Sequence, residues 1–198
     1  VLGGLEMESY ILKGNLCYSE DQNHIRIVPN AYLVCENGRS AGVFTQLPER
    51  YAPLPVTDFG DRLILPGLTD LHVHAPQFAF RGLGMDMELL DWLNTYTFPE
   101  ESKYRDMEYA QRAYRQFVAH LRTSATTRVG VFATMHLPAT EFLMQELKNS
   151  GLVSYVGKVN MDRNALPGIL QETTEESVSE TLRWLDGCHF EHVRPIIT

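Results

Sequence analysis

Pro66-Gly67-Leu68-Thr69-Asp70-Leu71-His72-Val73-His74 is the stretch on which the reading of this chain turns. It follows an apolar run, Arg62-Leu63-Ile64-Leu65, that reads as a buried strand leading into a Pro-Gly turn. Side chains alternate across an extended strand, so Asp70, His72 and His74 are expected on one face and Leu71 and Val73 on the other. Two neutral imidazoles two residues apart suit adjacent coordination positions of one metal ion, and histidine nitrogen suits zinc. Asp70 could orient His72 by accepting from its second ring nitrogen. The same spacing also describes the wet face of an ordinary half-exposed sheet, and the nonapeptide alone leaves both readings open.

The composition narrows the partners. With 198 residues and 44% hydrophobic content, the chain can build one or two domains with a real core. A formal charge of -8 argues against a phosphate-binding surface, and hence against nucleic acid as the main partner; a small-molecule ligand is expected. Cys17, Cys35 and Cys188 are odd in number and widely spaced, so neither a disulfide framework nor a thiolate zinc site is indicated. No apolar run reaches the roughly 18 residues of a membrane span. The first residues lack a signal-peptide layout, so a cytoplasmic setting is the expectation.

Residues 1–64 are strand-rich, with apolar runs at Tyr10-Ile11-Leu12, Leu16-Cys17-Tyr18, Ile25 to Val28, Tyr32 to Cys35 and Val43-Phe44. Asn37-Gly38 signals a hairpin, because both residues tolerate positive φ. His24 reads as solvated surface. From 65 to 198 strands and helices alternate, which implies parallel pairing through crossover helices. The expected order is the His72 strand, a short amphipathic helix at 87–93, and a helix carrying Met107, Ala110, Tyr114, Phe117 and Leu121 at spacings of three and four. A strand over 126–136, a helix over 140–149 stopped by Gly151, and a strand over 153–162 follow. Thr173 and Glu176 then form a capping box for a helix ending near Gly187, before a last strand over 193–198. His120, His189 and His192 read as structural or solvated. His136, at a strand end, is open between a pocket-rim contact and a structural role.

Pro-Gly-Leu-x-Asp-x-His-x-His after an apolar strand resembles the first-strand signature of the amidohydrolase superfamily, metal-dependent hydrolases on a (β/α)8 barrel. His74-Ala75-Pro76-Gln77, the stretch Leu90-Asp91-Trp92-Leu93-Asn94-Thr95-Tyr96-Thr97-Phe98-Pro99 and Val131 to His136 resemble its guanine deaminase branch. The resemblance runs from about Leu63 to Thr198. It implies an α/β chain in two parts: 1–64 as the β-rich half of a small β-sandwich, and 65–198 as strands one to four of the barrel. An entire barrel typically takes about 250 residues, so the chain is expected to be the N-terminal portion of a longer enzyme.

In function, the resemblance implies attack of metal-bound hydroxide on C2 of guanine, giving xanthine and ammonia. It makes His72 and His74 metal ligands, Asp70 their outer support, Gln77 a hydrogen-bonding partner of the purine, and Trp92 and Leu93 pocket walls. Trp92 and Leu93 would otherwise read as core. One zinc ion is implied, with iron possible, because the fourth barrel strand lacks the lysine of binuclear members and Lys158 lies on the third. The family's remaining ligands and its proton-shuttling acid would fall beyond Thr198, and a homodimer is implied. Alternatives are another heterocycle deaminase or chlorohydrolase, or a catalytically inactive scaffold acting by association. The His-x-Glu and Pro-Cys-x-x-Cys zinc deaminase pattern has no counterpart here.

Overall fold

The structure is a computed structural model that describes residues 9–165 and 172–198. The chain divides into two compact units, Val1–Pro66 and Gly67–Thr198. The first eight residues of the expected 1–64 half-sandwich lie outside the described residues.

The first unit is a four-stranded sheet in the order β3-β2-β1-β4, from β1 (Tyr10–Ser19), β2 (Ile25–Glu36), β3 (Arg39–Phe44) and β4 (Val56–Ile64). Asn37 and Gly38, at φ 52° and 73°, make the two-residue turn between the antiparallel β2 and β3. Ile11, Val34 and Tyr51 form its small core. The expectation of a buried strand at Arg62-Leu65 is corrected. Residues through Ile64 are in β4, but Leu63 and Leu65 are 58% and 53% exposed. The strand's ladder partner is β1, and apolar composition alone does not report whether a second layer covers a strand.

The second unit is a parallel sheet in the order β5-β6-β7-β8, from β5 (Leu68–His74), β6 (Thr126–Phe132), β7 (Val153–Gly157) and β8 (Val193–Pro195). After β5 come short helices α1 (Leu89–Trp92) and α2 (Phe98–Glu101), then α3 (Met107–Thr123) leading to β6. Helix α4 (Leu137–Ser150) joins β6 to β7, and α5 (Thr174–Gly187) joins β7 to β8. This strand-helix alternation over one parallel sheet is the mixed α/β class expected for the opening strands of an amidohydrolase barrel.

Local chemistry starts and stops these helices. The Asp106 carboxylate accepts from the Glu108 amide to begin α3. Thr173 and Glu176 complete both halves of a capping box on α5. Gly151, at φ 79°, ends α4. The apolar stripe of α3 buries Ala110, Tyr114, Phe117 and Leu121 against Val129 and Val131 of β6 and Leu143, Met144 and Leu147 of α4. Strands are shorter than their apolar runs suggest: β6 stops at Phe132, β7 at Gly157 and β8 at Pro195. Beyond those points a few main-chain bonds continue, such as Ala133 N–H to the Gly157 carbonyl, and side chains join them: the Thr140 hydroxyl donates to the Thr134 carbonyl and that of Thr198 to the Lys158 carbonyl.

Leu143 is fully buried between α3 and the sheet, whereas Leu182 on α5 is 58% exposed. Leu143→Ala is expected to cost about 2–5 kcal/mol in denaturant unfolding, through lost transfer energy plus a cavity. Leu182→Ala is expected to stay within about 0.5 kcal/mol of the parent.

Candidate metal centre and its surroundings

Strand β5 is not a simple alternating strand. Its register against β6 slips between Leu68 and Thr69 and slips back between Asp70 and Val73. Asp70 is opposite Val129 and Val73 opposite Val131, so two residues, Leu71 and His72, stand where β6 supplies one. This is a β-bulge, uncommon between parallel strands and a means of re-aiming side chains. The expectation that Asp70, His72 and His74 share one face through uninterrupted alternation is therefore corrected. Asp70 is in register with the buried Val129, whereas His74 is in register with Phe132. The carboxylate of Asp70 accepts from the main-chain N–H of His72 at 3.1 Å rather than reaching its ring. This bond lies at the bulge itself.

The two imidazoles come together nonetheless, with ring centroids 5.1 Å apart and planes at 61°. Two imidazoles on one tetrahedral ion with Zn–N of about 2.0–2.1 Å would have ring centres roughly 5 Å apart, so the pair fits a shared ion. His74 Nδ1 is buried and has no hydrogen-bond partner among the described residues. Burial, reinforced by neighbouring His72, pushes the His74 pKa below its usual value and keeps the ring neutral, the form that binds metal. Among the described residues no third histidine, cysteine or carboxylate joins the pair. Phe132 lies against both rings, at 4.7 Å from His72 and 4.6 Å from His74, and is stacked on His74 within 10°. Sequence reasoning passed over Phe132, because an aromatic on a central strand reads as core.

Gln77 follows directly in a short 3-10 turn, Ala75–Phe80. Its side chain faces Glu101 of α2, a carboxylate only 4% exposed. Desolvation pushes the Glu101 pKa up to about 7, with the Gln77 contact pulling weakly the other way. The neighbouring Glu100 is differently placed: it pairs with Lys103 at 2.6 Å and accepts from the Tyr109 hydroxyl. Glu101 is a residue that sequence reasoning missed. Two adjacent acids at a helix start look alike in a sequence; the packing buries both and gives Glu100 a cation and a hydroxyl donor. Trp92 is tied into its own loop, with its ring 5.6 Å from Phe80 and its Nε1 donating to the Leu83 carbonyl at 3.0 Å. Leu93 is half-buried in the π-turn that follows α1.

Lys158 is fully buried just past β7, donating to Asn160 at 3.2 Å and facing Glu172 at 3.5 Å. His136 precedes α4 and lines a groove of about 640 Å³ with Tyr104, Arg105 and Glu172. Its Nε2 is buried without a partner, and burial lowers its pKa. His192 is an exposed loop residue beside Glu191.

Residues 63–194 match the family model described as "Amidohydrolase family". The chain belongs to the amidohydrolase family. A crystal structure of guanine deaminase from C. acetobutylicum with bound guanine in its active site superposes on this amidohydrolase with a TM-score of 0.88 at 41% identity. The match covers 96% of this chain and 46% of that one. Guanine deaminase of Dictyostelium discoideum is 32% identical over 95% of this chain and 46% of its own length. Atrazine chlorohydrolase from Arthrobacter aurescens TC1, complexed with zinc, aligns with a TM-score of 0.74 over 95% of this chain and 46% of its own. At 15% identity it shares the fold alone. The chain thus spans just under half the length of these relatives.

Because burial raises the Glu101 pKa, its contribution to stability is full below the ordinary carboxylate value and is lost as pH rises through about 7. Glu101→Gln removes this penalty. Urea unfolding of the parent should weaken by roughly 3 kcal/mol between pH 4.5 and pH 8 relative to the variant, from the size of the displacement.

Proposed function

We propose that this amidohydrolase is a guanine deaminase, hydrolysing guanine to xanthine and ammonia. The observation that carries the reading is the 41% identity and 0.88 TM-score, over nearly the whole chain, with a guanine deaminase that binds guanine. The clustered His72 and His74 rings support it independently, since they stand at a spacing one ion can bridge.

A bound divalent ion, zinc in this proposal, would supply a Lewis acid that activates water for attack on the carbon bearing the amino group. His72 and His74 would contribute two of its ligands, and Asp70 holds the main chain at His72. Gln77 presents an amide to a purine edge, where one group serves as both acceptor and donor. The buried Glu101 carboxyl faces the same side chain. Trp92 and Leu93 belong to this proposal as walls of the substrate pocket, with Trp92 held by Phe80 and Leu83. No described helix is long and apolar enough to cross a membrane. A cytoplasmic homodimer completes the proposal, and sizing of the purified protein checks the assembly.

The test is metal content and xanthine formation from guanine, measured on the protein at its natural length. About one ion per chain with xanthine produced supports the reading. A metal-loaded protein that leaves guanine untouched and deaminates or dechlorinates another heterocycle replaces it with the chlorohydrolase-like alternative. His72→Ala and His74→Ala are each expected to abolish retained metal and turnover together. Gln77→Ala should keep its metal while the KM for guanine rises about tenfold, the loss of roughly one buried hydrogen bond to the base.

A further inference from the structure

We propose that one face of β6, through Gly130 and Phe132, is the template that positions both metal-ligand imidazoles of β5. This inference rests on the reading of His72 and His74 as ligands. The first observation is the close approach opposite the bulge. A Cβ built on Gly130 would lie 2.8 Å from the carbonyl oxygen of Leu71, closer than real side chains come. Gly130 is not in the left-handed region, so its own backbone would accept alanine. What excludes a side chain there is the Leu71 main chain, which the extra residue of β5 pushes towards β6. Glycine at 130 leaves room for the bulge, and the bulge sets where His72 leaves the strand.

The second observation concerns the rings. A metal-ligating imidazole is ordinarily oriented by a hydrogen bond from its other nitrogen to a carboxylate, carbonyl or water. Here Asp70 takes the His72 amide instead, and His74 Nδ1 has no partner among the described residues. What does touch both rings is Phe132, two residues along β6 from Gly130 and in register with His74. Its plane lies within 10° of the His74 plane, and offset aromatic stacking resists rotation of that ring. Phe132 therefore does by packing what an outer-shell acceptor does by hydrogen bonding. Both are positioning residues, acting through the histidines.

The experiment measures zinc affinity by chelator competition on the purified natural-length protein, alongside melting of the metal-free form and amide exchange at His72. Phe132→Leu keeps apolar volume but has no ring plane, and is expected to bind zinc about tenfold or more weakly, the usual effect of losing an outer-shell partner. Phe132→Tyr should stay within about threefold of the parent, because the stacked ring persists. Gly130→Ala is expected to weaken zinc, to speed exchange of the His72 amide and to lower the metal-free melting temperature, because its methyl group meets the Leu71 main chain. Parent-like zinc binding in Phe132→Leu, or an equal loss in Phe132→Tyr, overturns the role of the ring. Parent-like binding and exchange in Gly130→Ala overturn the role of the bulge. A parent protein that binds no zinc overturns the ligand reading itself, and the template proposal with it.

Discussion

The site depends on one extra residue in β5. Two adjacent parallel strands with matched rise keep their side chains in step, and a strand carrying two ligands would ordinarily present them as evenly as any other pair. Between Asp70 and Val73 that regularity is broken, and the break is accommodated only because β6 has no side chain at Gly130. The main-chain N–H of His72, at the bulge, donates to the Asp70 carboxylate. A backbone irregularity stabilised by a small residue on one side and a short acid on the other is well suited to hold ligands in place.

Rigidity for this arrangement comes from the layer behind the sheet. The valines of β6 at 129 and 131 are locked into the α3 and α4 side chains, with Ala133 continuing the buried row. Close packing of this kind transmits small displacements instead of absorbing them. Phe132, between two buried neighbours, therefore projects from a strand that cannot readily shift. Polar links play the same part further along: Asn160 accepts from Lys158, Ser177 and Thr181, tying the segment after β7 to α5.

A second, more polar neighbourhood lies just after β5. The turn Ala75–Phe80 carries Gln77 to Glu101, and the same region holds the paired Glu100 and Lys103. Two successive buried glutamates thus meet different partners. One is neutralised by a cation, and the other is desolvated until its proton is retained to near neutral pH. A carboxyl poised in this way can report its surroundings through stability as well as through any contact with a ligand.

The sequence by itself determined the order and kind of the elements and the identity of the candidate ligands. The α3 stripe, the Asn37-Gly38 turn, the Thr173 capping box and the Gly151 stop are local signals, written in residues a few positions apart. His72 and His74 were legible for the same reason, as neighbours on one strand. What only tertiary structure decided depends on residues distant in sequence. Asp70 meets an amide instead of a ring, Gly130 makes room for Leu71, Phe132 lies against two histidines, and of two buried glutamates it is Glu100 that meets a lysine. Alternation predicts faces only while strands stay in register, and burial depends on what the rest of the chain places alongside. Neither register nor burial is a property that a residue carries alone.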